Sequence, residues 1–144
     1  MRDLLASRDV KIGHFVGEFL TPGIGYIVKE AGCDYVTFDM EHSGLEFETV
    51  RTALRFAEAA GLATMVRPPS KQYQDIARTL DIGADAIMAQ NVATADEARE
   101  IVTFMKYPPR GKRGVTVGHY YDRFGGGPVG PKLEAANKLT ALFL

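Results

Sequence analysis

Three stretches of the chain repeat one pattern: an amphipathic segment stops at a glycine, an apolar run of about strand length follows, and a polar residue closes it. The copies are Ala31-Gly32-Cys33-Asp34-Tyr35-Val36-Thr37-Phe38-Asp39, Ala60-Gly61-Leu62-Ala63-Thr64-Met65-Val66-Arg67 and Ile82-Gly83-Ala84-Asp85-Ala86-Ile87-Met88-Ala89-Gln90. Glycine suits the end of a helix because the left-handed conformation common there costs it nothing. An opening strand around residues 12–19 and a final apolar run at 139–144 complete a β-α-β-α-β-α-β-α-loop-β order. Short apolar strands that alternate with helices predict a parallel sheet covered by helices, as in a doubly wound sheet or a (β/α)8 barrel.

The segments between strands carry helix signals. Thr21-Pro22 pairs a capping hydroxyl with a proline suited to the first helical position, and Ser43 with Glu46 and Thr94 with Glu97 have the spacing of a capping box. Apolar stripes follow: Phe47, Val50, Leu54 and Ala57; Tyr73, Ile76, Ala77 and Leu80; Ala98, Ile101, Val102 and Met105. Between Tyr107 and Lys138 the pattern lapses into prolines, glycines and the basic residues Arg110, Lys112 and Arg113. This stretch reads as one long irregular loop, its basic cluster solvated, with residues 1–144 forming a single domain.

Charge and composition remove several function classes. The 17 basic residues are balanced by 18 acidic ones, which argues against a sequence-independent nucleic-acid binder. No window approaches the roughly 20 apolar residues of a membrane span, and the first residues lack the apolar core of a signal peptide. The single cysteine, Cys33, reads as packed at the start of a strand and fits a reducing, cytoplasmic compartment. A small-molecule role is what remains.

In parallel α/β folds ligands sit at the carboxyl ends of the strands, so the residues closing each apolar run are the first site candidates. They are Asp39, Glu41 and His42, then Arg67, then Gln90 and Asn91. Histidine accepts a proton near neutral pH, and arginine grips a carboxylate through two parallel N–H bonds, so the set suits proton transfer on an anionic substrate. Each has a plainer reading: His42 as a turn residue before a helix, Arg67 as a surface arginine. A charge that ends the buried run Ala63–Val66 favours a site for Arg67. Asp81 stands at a helix C-terminus, a poor place for a carboxylate, which hints that something else retains it. The histidines have no metal-ligand spacing, and Gly125–Gly127 lacks the strand-to-helix setting of a phosphate loop.

Phe38-Asp39-Met40-Glu41-His42, Val66-Arg67-Pro68, Leu80-Asp81-Ile82-Gly83 and Tyr107-Pro108-Pro109-Arg110-Gly111-Lys112-Arg113-Gly114 occur in an order and spacing that resembles the HpcH/HpaI aldolase/citrate lyase family. The resemblance implies a (β/α)8 barrel of which this chain holds about the first five β/α units, and a lyase dependent on Mg²⁺, Mn²⁺ or Co²⁺. Such enzymes make or break a bond to the enolate of pyruvate or a related 2-oxo acid, with an aldehyde as the other partner, and commonly assemble as homo-oligomeric hexamers. By the same resemblance His42 is the general base acting through a metal-bound water and Asp81 its carboxylate partner. Arg67 holds the 2-oxo acid and stabilises the enolate oxygen, while Asp39 and Glu41 support the metal's surroundings. Gln90 contacts substrate, and Gln90-Asn91 stands where relatives often have Pro-Met, a departure that bears on the choice of aldehyde. The family's two carboxylate metal ligands fall beyond Leu144, so no metal ligand is expected within this chain. Two alternatives go with this reading: a catalytically incomplete barrel piece that folds by association, and a citrate-lyase-like enzyme acting on acyl-CoA esters.

Overall fold

Five strands pair in chain order, each parallel to the one before it: β1 (Gly13–Val16), β2 (Tyr35–Asp39), β3 (Ala63–Arg67), β4 (Ala86–Met88) and β5 (Ala141–Phe143). The computed structural model describes residues 1–144, the side chain of Arg2 excepted. The strand order decides between the two architectures that the repeat allows. A doubly wound sheet reverses its winding at a switch point, whereas here every crossover advances to the next position, the winding of a (β/α)8 barrel, of which five units are present.

Helices α1 (Arg2–Ala6), α2 (Ile24–Glu30), α3 (Phe47–Ala59), α4 (Tyr73–Asp81), α5 (Ala95–Met105) and α6 (Val129–Leu139) accompany the strands. The three repeat glycines end helices in positive φ, at 86° for Gly32, 74° for Gly61 and 104° for Gly83. At Gly83 a second constraint applies, since a Cβ there would lie 2.6 Å from the Tyr120 ring. No helix among the described residues is long and apolar enough to cross a membrane.

The strands divide their side chains between two faces. Val36 and Phe38 of β2 and Val66 of β3 pack with Val50, Leu54 and Ala57 of α3 in one apolar cluster. Ile87 of β4 joins Ile76, Leu80, Ile101, Phe104 and Met105 in a second. Phe38 is fully buried, so its truncation to alanine costs about 3–5 kcal/mol. The alternate positions, among them Thr37, Asp39, Met65 and Arg67, point away from the helices. Cys33 is a free thiol packed against the first cluster, as its place before β2 suggests.

Several local expectations need correction. Helix α3 begins at Phe47 after Glu46, which makes no side-chain cap. Ser43 instead folds the preceding turn: its hydroxyl donates to the Asp39 carbonyl and accepts from Leu45 N at 3.1 Å. Helix α2 starts at Ile24, whose N–H donates to the carbonyl of Thr21 at 3.0 Å, so Thr21 contributes its backbone and not its hydroxyl. Thr94 does cap α5, accepting from Glu97 N at 3.2 Å, while the Glu97 carboxylate accepts from Ala93 N at 2.8 Å. On α5, Phe104 is buried and Val102 is exposed.

The stretch read as one irregular loop contains a 3-10 turn at Tyr120–Asp122 and all but the last residue of α6. Gly130 and Pro131 disguise that helix, although its first turn tolerates proline because the N–H groups there lack intrahelical partners. Two tertiary contacts hold α6 down. The buried Asn137 accepts from Tyr107 N at 2.7 Å and donates to Tyr107 O at 3.1 Å, and Lys106 Nζ donates to the carbonyls of Asn137 and Thr140. Arg113 likewise leaves the solvated cluster assigned to it: it is 2% exposed.

Candidate active site

The register of β2 against β3 sets Asp39 opposite Arg67 at the carboxyl ends of both strands, with the two side chains on the same face. The guanidinium meets the carboxylate as a fork: Arg67 Nε donates to Asp39 Oδ1 at 2.7 Å and Nη2 to Oδ2 at 2.8 Å. Asp39 also accepts from the backbone N–H groups of Glu41 at 2.9 Å and His42 at 3.3 Å, which folds the chain back over the strand end. The hydrogen bonds from Arg67 hold the Asp39 carboxyl below its ordinary range, against the opposing effect of burial. The same bonds push the Arg67 guanidinium above its ordinary value. Both groups therefore stay charged.

Glu41 adds a second carboxylate to the guanidinium, with Oε2 3.1 Å from Arg67 Nη1. Of the five N–H donors of an arginine, the fork to Asp39 uses two, and the Glu41 contact at Nη1 is an ion pair. The Phe15 ring of β1 lies 5.0 Å from the guanidinium carbon and walls its other side. His42 stands in the open, its side chain 71% exposed and Nε2 3.6 Å from Glu41 Oε2.

Gln90 and Asn91, just past β4, complete the rim. Gln90 Nε2 donates to the carbonyl of Pro68 at 3.1 Å, and because a carbonyl only accepts, this contact fixes the amide orientation. Gln90 Oε1 is left buried with no partner among the described residues. Asn91 adopts φ 52°, which turns its Nδ2 toward Glu41 Oε1 at 3.4 Å and lets its carbonyl accept from Lys71 Nζ at 2.8 Å. Sequence reasoning passed over Lys71 and Phe15. Lys71 carries no signal beyond a loop position, whereas Phe15 belongs to the predicted opening strand and only its face was undetermined.

The structure thus brings Asp39, Glu41, His42, Arg67 and Gln90 to one rim and leaves Asp81 out. Each helix runs back against the strands, so Asp81, the last residue of α4, lies at the opposite end of the sheet. Its carboxylate accepts from Arg113 Nη2 at 2.5 Å, and that buried guanidinium is stacked on Tyr107, 4.5 Å from the ring centre. Within this chain the expected pairing of Asp81 with His42 does not form; the carboxylate beside His42 is Glu41. Arg113 also supplies what the helix dipole withholds from Asp81. Among the described residues no three His, Cys, Asp or Glu side chains converge as an ion site.

A rim of this kind, with a guanidinium fixed by two carboxylates and an exposed imidazole beside it, suits an anionic substrate that must gain or lose a proton. Comparison with known proteins points the same way. The family model for HpcH/HpaI aldolase/citrate lyase matches residues 17–143. The chain is 38% identical over 99 residues to the pyruvate aldolase of Rhizobium etli, a match covering 69% of this chain and 39% of that protein. It is 33% identical over 121 residues to the 5-keto-4-deoxy-D-glucarate aldolase of Klebsiella pneumoniae, covering 84% and 47%. Among solved structures, the HpcH/HpaI aldolase of Desulfitobacterium hafniense DCB-2 superposes with a TM-score of 0.91 at 30% identity, over 99% of this chain and 54% of that one. The chain spans about half, or less, of the length of the curated relatives it matches. A five-strand sheet wound as a barrel, with Asp39, Glu41, His42 and Arg67 on its carboxyl rim, belongs to the HpcH/HpaI aldolase/citrate lyase family.

Proposed function

We propose that residues 1–144 form one domain, the N-terminal part of a (β/α)8 carbon–carbon lyase that cleaves 4-hydroxy-2-oxo acids to pyruvate, or a related 2-oxo acid, and an aldehyde, and that catalyses the reverse condensation. The observation that carries this reading is the Asp39–Arg67 fork at the carboxyl rim, which engages one side of the guanidinium and leaves Arg67 further N–H donors. The relatives named for aldolase activity support it.

In the cleavage direction a base takes the proton of the C4 hydroxyl and the C3–C4 bond breaks. Its electron pair forms the C2–C3 double bond of an enolate, the aldehyde leaves, and a proton returned to C3 gives the 2-oxo acid. Arg67 binds the carboxylate and the oxygen on which enolate charge collects; Asp39 and Glu41 orient it and keep its charge fixed in advance of the reaction. His42, exposed at the rim, moves the proton through Nε2. Gln90, held on the Pro68 carbonyl past β4, is the further substrate contact of this reading. Asp81 lies at the far end of the same sheet, paired with Arg113, so a role as carboxylate partner of His42 requires a second copy of the chain.

A bound divalent cation, Mg²⁺, Mn²⁺ or Co²⁺, supplies further stabilisation of enolate charge. The carboxylates of this rim, Asp39 and Glu41, are already engaged by Arg67, so the described residues do not make the metal's ligand set by themselves. The lone free thiol agrees with a cytoplasmic setting. A homo-oligomeric assembly belongs to the same proposal; the outer edges of β1 and β5, bare within residues 1–144, are where further barrel strands would pair.

Pyruvate release from 4-hydroxy-2-oxo acids, followed by coupled NADH oxidation with each metal and with EDTA, tests the reading. Turnover that requires metal and is lost in Arg67→Gln is the expected result; full activity in EDTA, or in Arg67→Gln, refutes it. The same bare edges favour a second reading, in which the chain is inactive until it associates with further barrel units. That reading expects neither turnover nor tight metal binding from these residues alone, and a metal titration separates the two.

A further inference from the structure

At the end of the sheet opposite Arg67, guanidinium groups gather around an open cavity of about 410 Å³. Arg51 and Arg55 of α3, Arg78 of α4, His119 and the Tyr120 ring line it. Its one carboxylate, Asp81, is already held by Arg113 at 2.5 Å. Arg51 reaches only the exposed Glu48, at 3.9 Å, and among the described residues neither Arg55 nor Arg78 pairs with a carboxylate.

These side chains are held in place. Arg55 Nη2 donates to the carbonyl of Ile82 at 2.7 Å and its guanidinium stacks on Tyr120, which leaves Nη1 buried without a partner. Arg78 lies over the Phe47 ring, 4.1 Å from its centre. Burial, and then the nearness of Arg123 and Arg51, pushes the Arg55 guanidinium down to about 10. A chain of net charge -1 thus concentrates unpaired positive charge in one concave place.

We propose that this cavity is an anion site for a doubly charged oxyanion, a phosphate group or a dicarboxylate, bound by Arg51 and Arg78 with the charge of the Arg55 guanidinium behind them. Guanidinium groups offer paired N–H donors that match the oxygen spacing of either class. The site is at the other end of the strands from Arg67, so its ligand and a substrate on the carboxyl rim do not compete for the same atoms. The inference is independent of the reaction proposed above.

The test titrates the 144-residue chain at low salt with inorganic phosphate, pyrophosphate and malonate, each against chloride at matched ionic strength, by calorimetry and by amide and arginine side-chain NMR shifts. The expected result is a saturable response at residues 51, 55 and 78, and the stronger ligand identifies the class. Since Arg55 also holds the Ile82 carbonyl, the variant of choice is the exposed pair Arg51→Gln/Arg78→Gln, checked for an unchanged circular dichroism spectrum. It is expected to weaken binding about tenfold or more. Equal binding by that variant, an equal response to chloride, shifts confined to Arg67 and its neighbours, or no saturable response overturns the proposal.

Discussion

Replacing Asp39 by Asn removes the charge around which the carboxyl rim is built. The carboxylate accepts four N–H groups, from Arg67 Nε and Nη2, Glu41 and His42, at 2.7, 2.8, 2.9 and 3.3 Å. An amide offers one oxygen in place of two and turns an NH₂ group toward a guanidinium. Removing one partner of a buried ion pair costs about 3–5 kcal/mol. Here Arg67 is 21% exposed and keeps its contact with Glu41, so the expected cost is shifted below that range, to about 2–4 kcal/mol for Asp39→Asn. The corresponding fall in Tm is about 5–15 °C. A double-mutant cycle with Arg67→Gln, read by urea unfolding, isolates the pair, and the coupling expected is about 1–3 kcal/mol. Acid supplies an internal control. The folded Asp39 carboxyl titrates below its ordinary 3.8, so its stabilisation is fully present above that value and is lost as the pH falls through the folded pKa. The stability gap between wild type and Asp39→Asn is therefore flat from pH 7 to about 4 and narrows below. A coupling under about 0.3 kcal/mol, or a gap unchanged down to pH 2, would refute the reasoning.

Three further outcomes follow from other parts of the fold. His42→Ala changes stability by no more than about 0.5 kcal/mol, because the side chain is 71% exposed, yet slows deuterium exchange at C3 of pyruvate about 10²–10⁴-fold; an unchanged exchange rate removes His42 from the proton transfer. Asn137→Ala strands the buried N–H of Tyr107, whose carbonyl keeps Arg110 N and Gly111 N as donors, costs about 1–3 kcal/mol, and accelerates amide exchange across residues 129–139, whereas unchanged protection there would show that α6 is held by other contacts. Thr94→Ala costs about 1 kcal/mol through loss of the α5 cap while Thr94→Ser recovers most of it, and equal unfolding midpoints for all three proteins would dismiss the cap.

The local elements were legible where the signal itself is local. The glycine stops, the apolar runs of β2 to β4 and the stripes of α3 and α4 depend on periodicity and on backbone freedom, properties a short window contains. The α6 segment failed that test. Its Gly130 and Pro131 suggest irregularity, and what holds it is Asn137 bound to Tyr107 thirty residues away, a contact no window includes. Arg113 failed for a related reason, since a loop arginine beside Arg110 and Lys112 reads as solvated until its partner Asp81 and the rings of Tyr107 and Tyr121 are in place.

The sequence by itself determined that strands alternate with helices and that Asp39, Glu41, His42, Arg67 and Gln90 close the strands at the end where parallel sheets bind ligands. Only the tertiary structure decided which of these groups meet. The β2–β3 register turned two separate strand endings into the Asp39–Arg67 fork, and the return path of α4 carried Asp81 to the other end, into the hold of Arg113. Hydrophobic periodicity sets which face of an element is buried, whereas charge pairing depends on distances between elements, and those distances exist only once the elements have packed.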